Sequence, residues 1–261
     1  MFRGIEVYKG RTFHEKVAVL PSQVREKIEY MMGKGEHLTL NGASIILAEL
    51  CGVLLGLRRS EHFASSESNP DQTTLLCFRN FAGAGWDLAD CRRSYNIARW
   101  VSKLSSCEVL RVRLCYTKHK RHRVAHEVVA GPGYRLMSLV RWLRVVVSLR
   151  IKLKEKLSID SPLLVRDRRG TIVPMTSAFM SRMDKTYIPI LGWGKATIHS
   201  RRRGFATAAV RCGLHMARIS IAMRHSRGIT MQYIALTLAD KAAITTRLAV
   251  HAYRRELEKA R

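Results

Sequence analysis

Residues 38–57 read LTLNGASIILAELCGVLLGL, an apolar run long enough to imitate a membrane span. Asn41 and Glu49 interrupt the run and an arginine pair follows it, a pattern that argues against a helix in lipid. Between Asn41 and Leu57 the run has no polar face, so it predicts a helix buried on most of its sides. Arg58 then emerges at the C-terminal end of that helix.

Shorter patterns around this run predict the remaining elements. Pro21 and Ser22 precede QVREKIEYMM, whose apolar residues recur at helical spacing up to Gly33. EVLRVRLCY and RVAHEVV alternate apolar with polar residues around the basic turn TKHKRH, which predicts a β-hairpin between residues 107 and 129. YRLMSLVRWLRVVVSLRIKLKEKL predicts an amphipathic helix, and a further helix is expected around residues 175–187. The predicted fold class is mainly α with a small antiparallel β-sheet (α+β).

The chain is expected to form one domain over residues 18–261, after an N-terminal tail of residues 1–17. Hydrophobic residues make up 47% of the 261, enough to bury a core. Residues 65–106 are difficult to assign and are interpreted as an irregular or strand-containing insert. The six cysteines show neither a C-x-x-C pair nor zinc-ligand spacing, so we expect reduced thiols and no metal.

The charge of the chain indicates a polyanionic partner. Lys and Arg number 46 against 20 Asp and Glu, which gives a net charge of +26. Residues 1–110 carry 14 basic and 12 acidic residues, whereas residues 111–261 carry 32 and 8. The basic residues are interleaved with apolar periods, which favours a folded nucleic-acid-binding surface over an acidic membrane. The N-terminus lacks the features of a secretory signal, so we expect an intracellular protein.

The segment HSRRRGFATAAVRCG, residues 199–213, holds the most informative pattern. At 3.6 residues per turn, His199, Arg202 and Ala206 share one face near a helix start. A phosphate there would gain the helix dipole, an arginine fork and a histidine hydrogen bond. A basic, solvated helix is the alternative interpretation. Farther on, Tyr233 follows His225 by eight positions, and a tyrosine beside clustered arginines is a candidate nucleophile.

Taken in order, these motifs resemble the catalytic domain of the tyrosine recombinases, the phage-integrase-like enzymes. The resemblance covers roughly residues 20–240 and rests on six short motifs. They are Gly56-Leu57-Arg58-Arg59-Ser60-Glu61, Lys118, His199-x-x-Arg202 with Ala206-Thr207, Gly213, His225-Ser226 and Tyr233. The segment HSRRRGFATAA is also similar to recombinases of eukaryotic mobile elements. That similarity would imply a nuclear location; if the protein is not eukaryotic, the cytoplasm or nucleoid is expected.

The resemblance implies a chemistry for these residues. Arg58 and Arg202 would clamp the scissile phosphate, Lys118 would protonate the leaving 5′ oxygen, and Tyr233 would form a 3′-phosphotyrosine. Because that link conserves the energy of the broken strand, neither ATP nor a metal nor any other cofactor is expected. His199 would assist proton transfer or hold the phosphate, and His225 would hydrogen-bond the same phosphate.

The same resemblance implies supporting residues and partners. Glu61 would orient the arginines, with a plain surface glutamate as the alternative, and Lys120 competes with Lys118 for the hairpin position. The expected DNA-binding residues are Arg59, Lys120, Arg121, Arg123, Arg201 and Arg203. Double-stranded DNA is the expected partner, bound by a homo-tetramer on paired sites. Neither a membrane nor a small-molecule substrate is expected.

Some features depart from the family pattern. The spacing from His225 to Tyr233 is one residue short, so Tyr187 and Tyr253 are the fallback nucleophiles. Met223-Arg224 replaces the usual Leu-Gly before the histidine. Only some twenty residues precede the first predicted helix. In DNA-encircling members of the family, a helical domain precedes the catalytic domain. A DNA-binding remnant without enzymatic activity and a type IB topoisomerase therefore stay open as alternatives.

Overall fold

The computed structural model describes residues 17–70, 75–83, 97–104, 107, 109–114, 126–131, 133–224 and 238–253. This part of the chain is mainly helical with small antiparallel sheets, which confirms the predicted α+β class. The helices are α1 (Pro21–Gly33), α2 (Leu40–Leu54), α3 (Arg59–His62), α4 (Ile97–Leu104), α5 (Leu139–Lys152), α6 (Ser177–Ile190), α7 (Ile198–Arg211), α8 (Met216–Met223) and α9 (Leu238–His251). The strands are β1 (Phe81–Gly83), β2 (Leu110–Leu114), β3 (His126–Ala130), β4 (Val165–Arg168) and β5 (Thr171–Pro174).

Helix α2 lies at the centre of the fold, as its sequence predicts. Every residue of α2 except Asn41 is buried, and the helix packs against α1, α5, α7 and β4. The side chain of Thr39 caps its start by accepting a hydrogen bond from the backbone N–H of Gly42. Within the described ranges, no helix combines the length and apolarity needed to cross a bilayer.

The two polar residues that interrupt the apolar run both have specific partners. The Asn41 amide bonds the backbone of Asp167 twice, donating to its carbonyl at 3.2 Å and accepting from its N–H at 2.7 Å. Glu49 is 1% exposed and binds Lys27 and Arg201. Both side chains therefore have hydrogen-bond partners inside the protein. These bonds avoid the cost of burying a polar group without a partner.

Strands β1, β2 and β3 form one antiparallel sheet in that order. Val112 of β2 pairs with Phe81 on one side and Val128 on the other, so the predicted hairpin is confirmed as β2 and β3. The basic turn between these strands lies outside the described residues. Residues 65–106, interpreted as an insert, contribute β1 to this sheet and α4 to the core, where α4 packs against α5.

A second hairpin, β4 and β5, leads into helix α6. Its turn uses Arg169 and Gly170, both at positive φ, and the Asp167 side chain accepts from the Gly170 N–H at 2.7 Å. Thr176 then caps α6 by accepting a hydrogen bond from the backbone N–H of Phe179. The helix expected around residues 175–187 is thereby confirmed.

Helices α5 and α9 complete the core. On α5, Trp142 and Val146 are buried while Arg141 and Arg144 are exposed, which confirms the predicted amphipathic helix. Helix α9 packs against α1, α7 and β3 of its own chain, and Leu248 is fully buried. The described part of α9 therefore contributes to the core of the same chain.

Candidate functional site

Helix α7 places His199 and Arg202 in its first two turns. The helix begins at Ile198, after the N-cap residue Thr197. His199 is exposed, whereas Arg202 is only 7% exposed. The helix start predicted near His199 is therefore confirmed. Residues three apart on a helix are neighbours on its surface, but these two side chains differ in burial, so their common orientation stays a prediction.

Arg202 is anchored by two backbone carbonyls from other segments. Its guanidinium donates to the oxygen of Gly56, after α2, and to the oxygen of Met223, at the end of α8. Gly56 has a φ of +58° and lies against the Phe205 ring, where an added Cβ would lie 3.2 Å from ring carbons. A glycine therefore lets the chain turn and present its carbonyl to Arg202.

Arg58 follows the same turn and is the N-cap residue of α3. Its backbone N–H donates to Glu61 Oε2 at 2.6 Å, and its Nη1 donates to Glu61 Oε1 at 2.8 Å. Its Nη2 donates to the carbonyl of Arg224 at 3.0 Å. Glu61 is 3% exposed, so the expected orienting role agrees with its position and the surface-glutamate alternative is wrong.

A third arginine, Arg224, completes the site and was not among the predicted site residues. It ends α8 with a φ of +54°, and its side chain is 6% exposed. Its Nη2 donates to Glu61 Oε2 at 2.6 Å and to the Gly56 carbonyl at 3.4 Å. The substitution of Met223-Arg224 for Leu-Gly was the sequence signal that could have identified it.

We call Arg58, Arg202 and Arg224 the arginine cluster. Glu61 is the one carboxylate within ion-pair distance of it among the described residues. Burial by itself would raise the pKa of Glu61, but Arg224 and Arg58 outweigh it and hold that pKa below its ordinary value. Burial, together with Arg224 and Arg58, lowers the pKa of Arg202 to about 10. The arginine cluster thus carries an excess of positive charge at a partly buried site. Such an excess favours the binding of an anion.

The expected DNA contact of Arg201 is wrong. Its side chain is 3% exposed and turns into the core, where it donates to both oxygens of Glu49 at 2.7 Å. It also bonds both oxygens of Asp184, at 2.5 and 2.8 Å. Lys27 binds Glu49 at 2.6 Å and lies 3.7 Å from Asp184. We call these four residues the core ion network.

The core ion network balances two cations with two carboxylates. Burial would raise the pKa of Glu49, but Arg201 and Lys27 outweigh it and lower the pKa to about 2. Lys27 also lies over the Tyr187 ring, 4.5 Å from its centroid. The network ties α1, α2, α6 and α7 together, so Arg201 is structural.

The other residues flanking the matched arginines differ from Arg201. Arg59 is exposed and Arg203 is partly exposed, so both are accessible to solvent, as a DNA contact requires. Their DNA contact stays a prediction. The remaining predicted site residues lie outside the described residues: Lys118, Lys120, Arg121, Arg123, His225 and Tyr233.

The fallback nucleophiles are both buried and hydrogen-bonded. Tyr187 donates its hydroxyl to Glu36, and burial together with that bond raises the pKa of Tyr187. The Tyr253 hydroxyl accepts from the Leu136 N–H at 3.1 Å, and burial raises its pKa as well. These environments disfavour the phenolate that a nucleophile needs.

A basic groove runs along the exposed face of α5. Arg141, Arg144 and Lys152 line it together with His37 and Ser138, and its volume is about 620 Å³. Among the residues that the structure describes, no carboxylate lines this groove. Its charge matches that of a polyanion-binding surface.

Across the described ranges, no group of three or more His, Cys, Asp or Glu side chains could hold a metal ion. No protein-family model matches the chain. No curated protein matches it in sequence.

Proposed function

We propose that the protein breaks and rejoins DNA as a tyrosine recombinase, with the arginine cluster holding the scissile phosphate. One observation carries the proposal: Arg58 and Arg202, far apart in sequence, meet around the Gly56 turn and the 222–224 segment. The guanidinium group of an arginine can donate two hydrogen bonds to a phosphate, and it stays charged. A phosphate between them would offset the excess positive charge.

The proposed reaction is a reversible transesterification. The Tyr233 oxygen attacks the phosphorus, the bond from phosphorus to the 5′ oxygen breaks, and Lys118 gives that oxygen a proton. Arg58 and Arg202 stabilise the charge that develops on the non-bridging oxygens. His199 and His225 hold the phosphate or assist proton transfer. Attack by a second 5′-hydroxyl on the phosphotyrosine restores the DNA strand and the tyrosine.

Two features of the chain support DNA as the substrate. The net charge of +26 is concentrated after residue 110, and phosphate contacts dominate the affinity of proteins for DNA. The basic groove on α5 adds Arg141, Arg144 and Lys152. A tetramer on paired sites is part of this proposal because strand exchange needs two duplexes cut together.

Covalent attachment is the decisive test. The protein is expressed with the DNA that flanks its own gene, the lysate is denatured, and protein–DNA adducts are measured. We expect adducts for the wild type and for Tyr253→Phe, and none for Tyr233→Phe. Loss in Tyr253→Phe alone would move the nucleophile to Tyr253. No adduct with any variant, while the protein is folded and bound to DNA, would favour a non-enzymatic DNA-binding protein.

Neighbouring arginines give matched controls for the phosphate clamp. Arg58→Ala should lower adduct formation by about 100-fold, the usual cost of removing one group that stabilises transition-state charge. Arg59→Ala removes the same charge from the next, exposed position and should leave adducts within a few-fold. In the same way, Arg202→Lys should lower adduct formation strongly, and its control Arg203→Lys should leave adducts within a few-fold. Equal losses within each pair would argue against a specific clamp.

A strand-transfer assay separates a recombinase from a topoisomerase. Two labelled duplexes that carry the same flanking DNA are incubated with the protein, and exchanged products are measured. A recombinase should yield DNA that joins one label to the other. A type IB topoisomerase should relax supercoiled DNA through the same adduct without exchanging partners. Relaxation with no exchanged product would therefore overturn the recombinase assignment.

A further inference from the structure

Arg224 occupies a backbone position that favours glycine. Its φ of +54° and ψ of +45° lie in the left-handed region, which is unfavourable for a residue with a Cβ. An arginine here brings that conformational cost and also buries a charged side chain, which is 6% exposed. Such strain persists where the surrounding structure holds the residue, and it is common at binding sites.

One donor atom of the Arg224 guanidinium has no acceptor among the described residues. Its Nη1 and Nη2 bond to Glu61 and to carbonyl oxygens of Ala222 and Gly56. Its Nε is buried and donates to none of the residues that the structure describes. A buried N–H without an acceptor is costly, so this N–H is a donor that a bound anion could satisfy.

The charges around Arg224 indicate the sign of that ligand. In the core ion network the same fold balances Lys27 and Arg201 with Glu49 and Asp184. The arginine cluster sets three guanidinium groups against Glu61, and two of these groups donate to the single oxygen of Gly56. Like charges this close repel one another, and a bound anion would relieve the repulsion that Glu61 alone does not offset. Arg58 is 25% exposed, which leaves the cluster open to an anion from solvent.

We propose that Arg224 is a third phosphate ligand, which donates its Nε–H to an oxygen of the group held by Arg58 and Arg202. This inference rests on the site of the proposed function and extends it to a residue beyond the matched motifs. The ligand is a phosphate oxyanion, and in the proposed reaction it is the phosphodiester of DNA. Three guanidinium groups would surround its oxygens.

A purely structural role makes a different prediction. If Arg224 only holds Glu61 in place, a lysine at this position keeps a positive donor for Glu61 and preserves phosphate binding. If Arg224 is a ligand through Nε–H, lysine cannot supply that second donor. Arg224→Gly removes the side chain and suits the left-handed backbone, so folding should survive.

Binding of inorganic phosphate to the full chain tests this inference without DNA. Affinity is measured by calorimetry and by thermal unfolding, with phosphate exchanged for chloride at constant ionic strength. The matched control is Arg169→Gly, which removes an exposed arginine from a turn where φ is +52°. We expect wild type and Arg169→Gly to bind alike, and Arg224→Gly and Arg224→Lys to bind about tenfold more weakly or worse.

Each outcome bears on the inference. Wild-type affinity in either Arg224 variant would overturn it, as would a wild type that shows no preference for phosphate over chloride. If Arg224→Gly does not unfold cooperatively, Arg224→Lys decides the question. Failure of the proposed function has a separate signature, because phosphate binding through Arg224 would persist in a protein that forms no Tyr233 adduct with DNA.

Discussion

Glu61 accepts a hydrogen bond from Arg224 at 2.6 Å although 163 positions separate the two residues in the chain. The other carboxylate oxygen accepts from Arg58 at 2.8 Å. One buried carboxylate thus joins the turn after α2 to the end of α8. Because Arg202 bonds the carbonyls of the same two segments, the geometry of the arginine cluster depends on Glu61.

Glu61→Gln should destabilise the protein by about 3 kcal/mol, since breaking a buried ion pair leaves uncompensated charge. Glutamine keeps one acceptor oxygen but removes the negative charge from among three guanidinium groups. Unfolding in urea measures the change. Phosphate at constant ionic strength should stabilise this variant more than the wild type, because the anion replaces the lost charge. Wild-type stability of Glu61→Gln would contradict the role given to this residue.

Arg201→Ala should cost about 3–5 kcal/mol of unfolding free energy, because Glu49 and Asp184 would lose their shared buried partner. Arg203→Ala is the control two positions later and should change stability by no more than about 0.5 kcal/mol. Chemical denaturation of both variants compares them directly. If Arg201→Ala instead weakened DNA binding and left stability unchanged, the core assignment would be wrong.

Gly204→Ala should destabilise the protein by about 1–3 kcal/mol, a typical cost of overpacking. The added Cβ would overlap the carbonyl of Val19, whose N–H bonds Ser200 at 2.9 Å. Gly33, the last residue of α1, has no atom within 4 Å of an added Cβ, so Gly33→Ala is the matched control. In thermal melts, Gly204→Ala should unfold at a lower temperature than Gly33→Ala. A Gly204→Ala variant as stable as the wild type would refute the close contact.

Stability should fall as the pH is lowered from about 6.5 to about 4, in part because of His62. This histidine is 3% exposed and bonds the Arg58 carbonyl at 2.7 Å, and burial lowers its pKa to about 4. The unfolded chain then binds a proton at higher pH than the folded protein does, so stability rises with pH across this window. Unfolding free energies at several pH values test this.

The control for that titration is His62→Gln, which keeps an amide donor for the Arg58 carbonyl. This variant should lose less stability than the wild type between about pH 6.5 and pH 5. Glu49 contributes little in that window because its ordinary pKa of 4.5 and its lowered pKa of about 2 both lie below pH 5. Parallel pH profiles for the two proteins would show that His62 is not the titrating group.

Local patterns in the sequence determined most of the secondary structure. The apolar run at 38–57, the alternation around the basic turn and the amphipathic stretch after Gly133 became α2, the β2–β3 hairpin and α5. Each of these signals lies within one or two elements, because side-chain periodicity follows directly from helix and strand geometry. The positions of Arg58 after α2 and of His199 and Arg202 near the start of α7 followed from the same patterns.

Only the tertiary structure decided what each arginine does. Arg201, Arg202 and Arg203 are adjacent, and their spacing could not show that Arg201 turns toward Glu49 and Asp184 while Arg202 turns toward Gly56. Their partners lie far away in sequence, and burial rather than residue type sets their electrostatics. The sequence by itself determined helices α1, α2, α5 and α6, the start of α7, the β2–β3 hairpin and the excess of positive charge. The three-dimensional packing decided which cations are neutralised in the core and which are left with a single carboxylate, because ion pairing depends on distances that only the folded chain fixes.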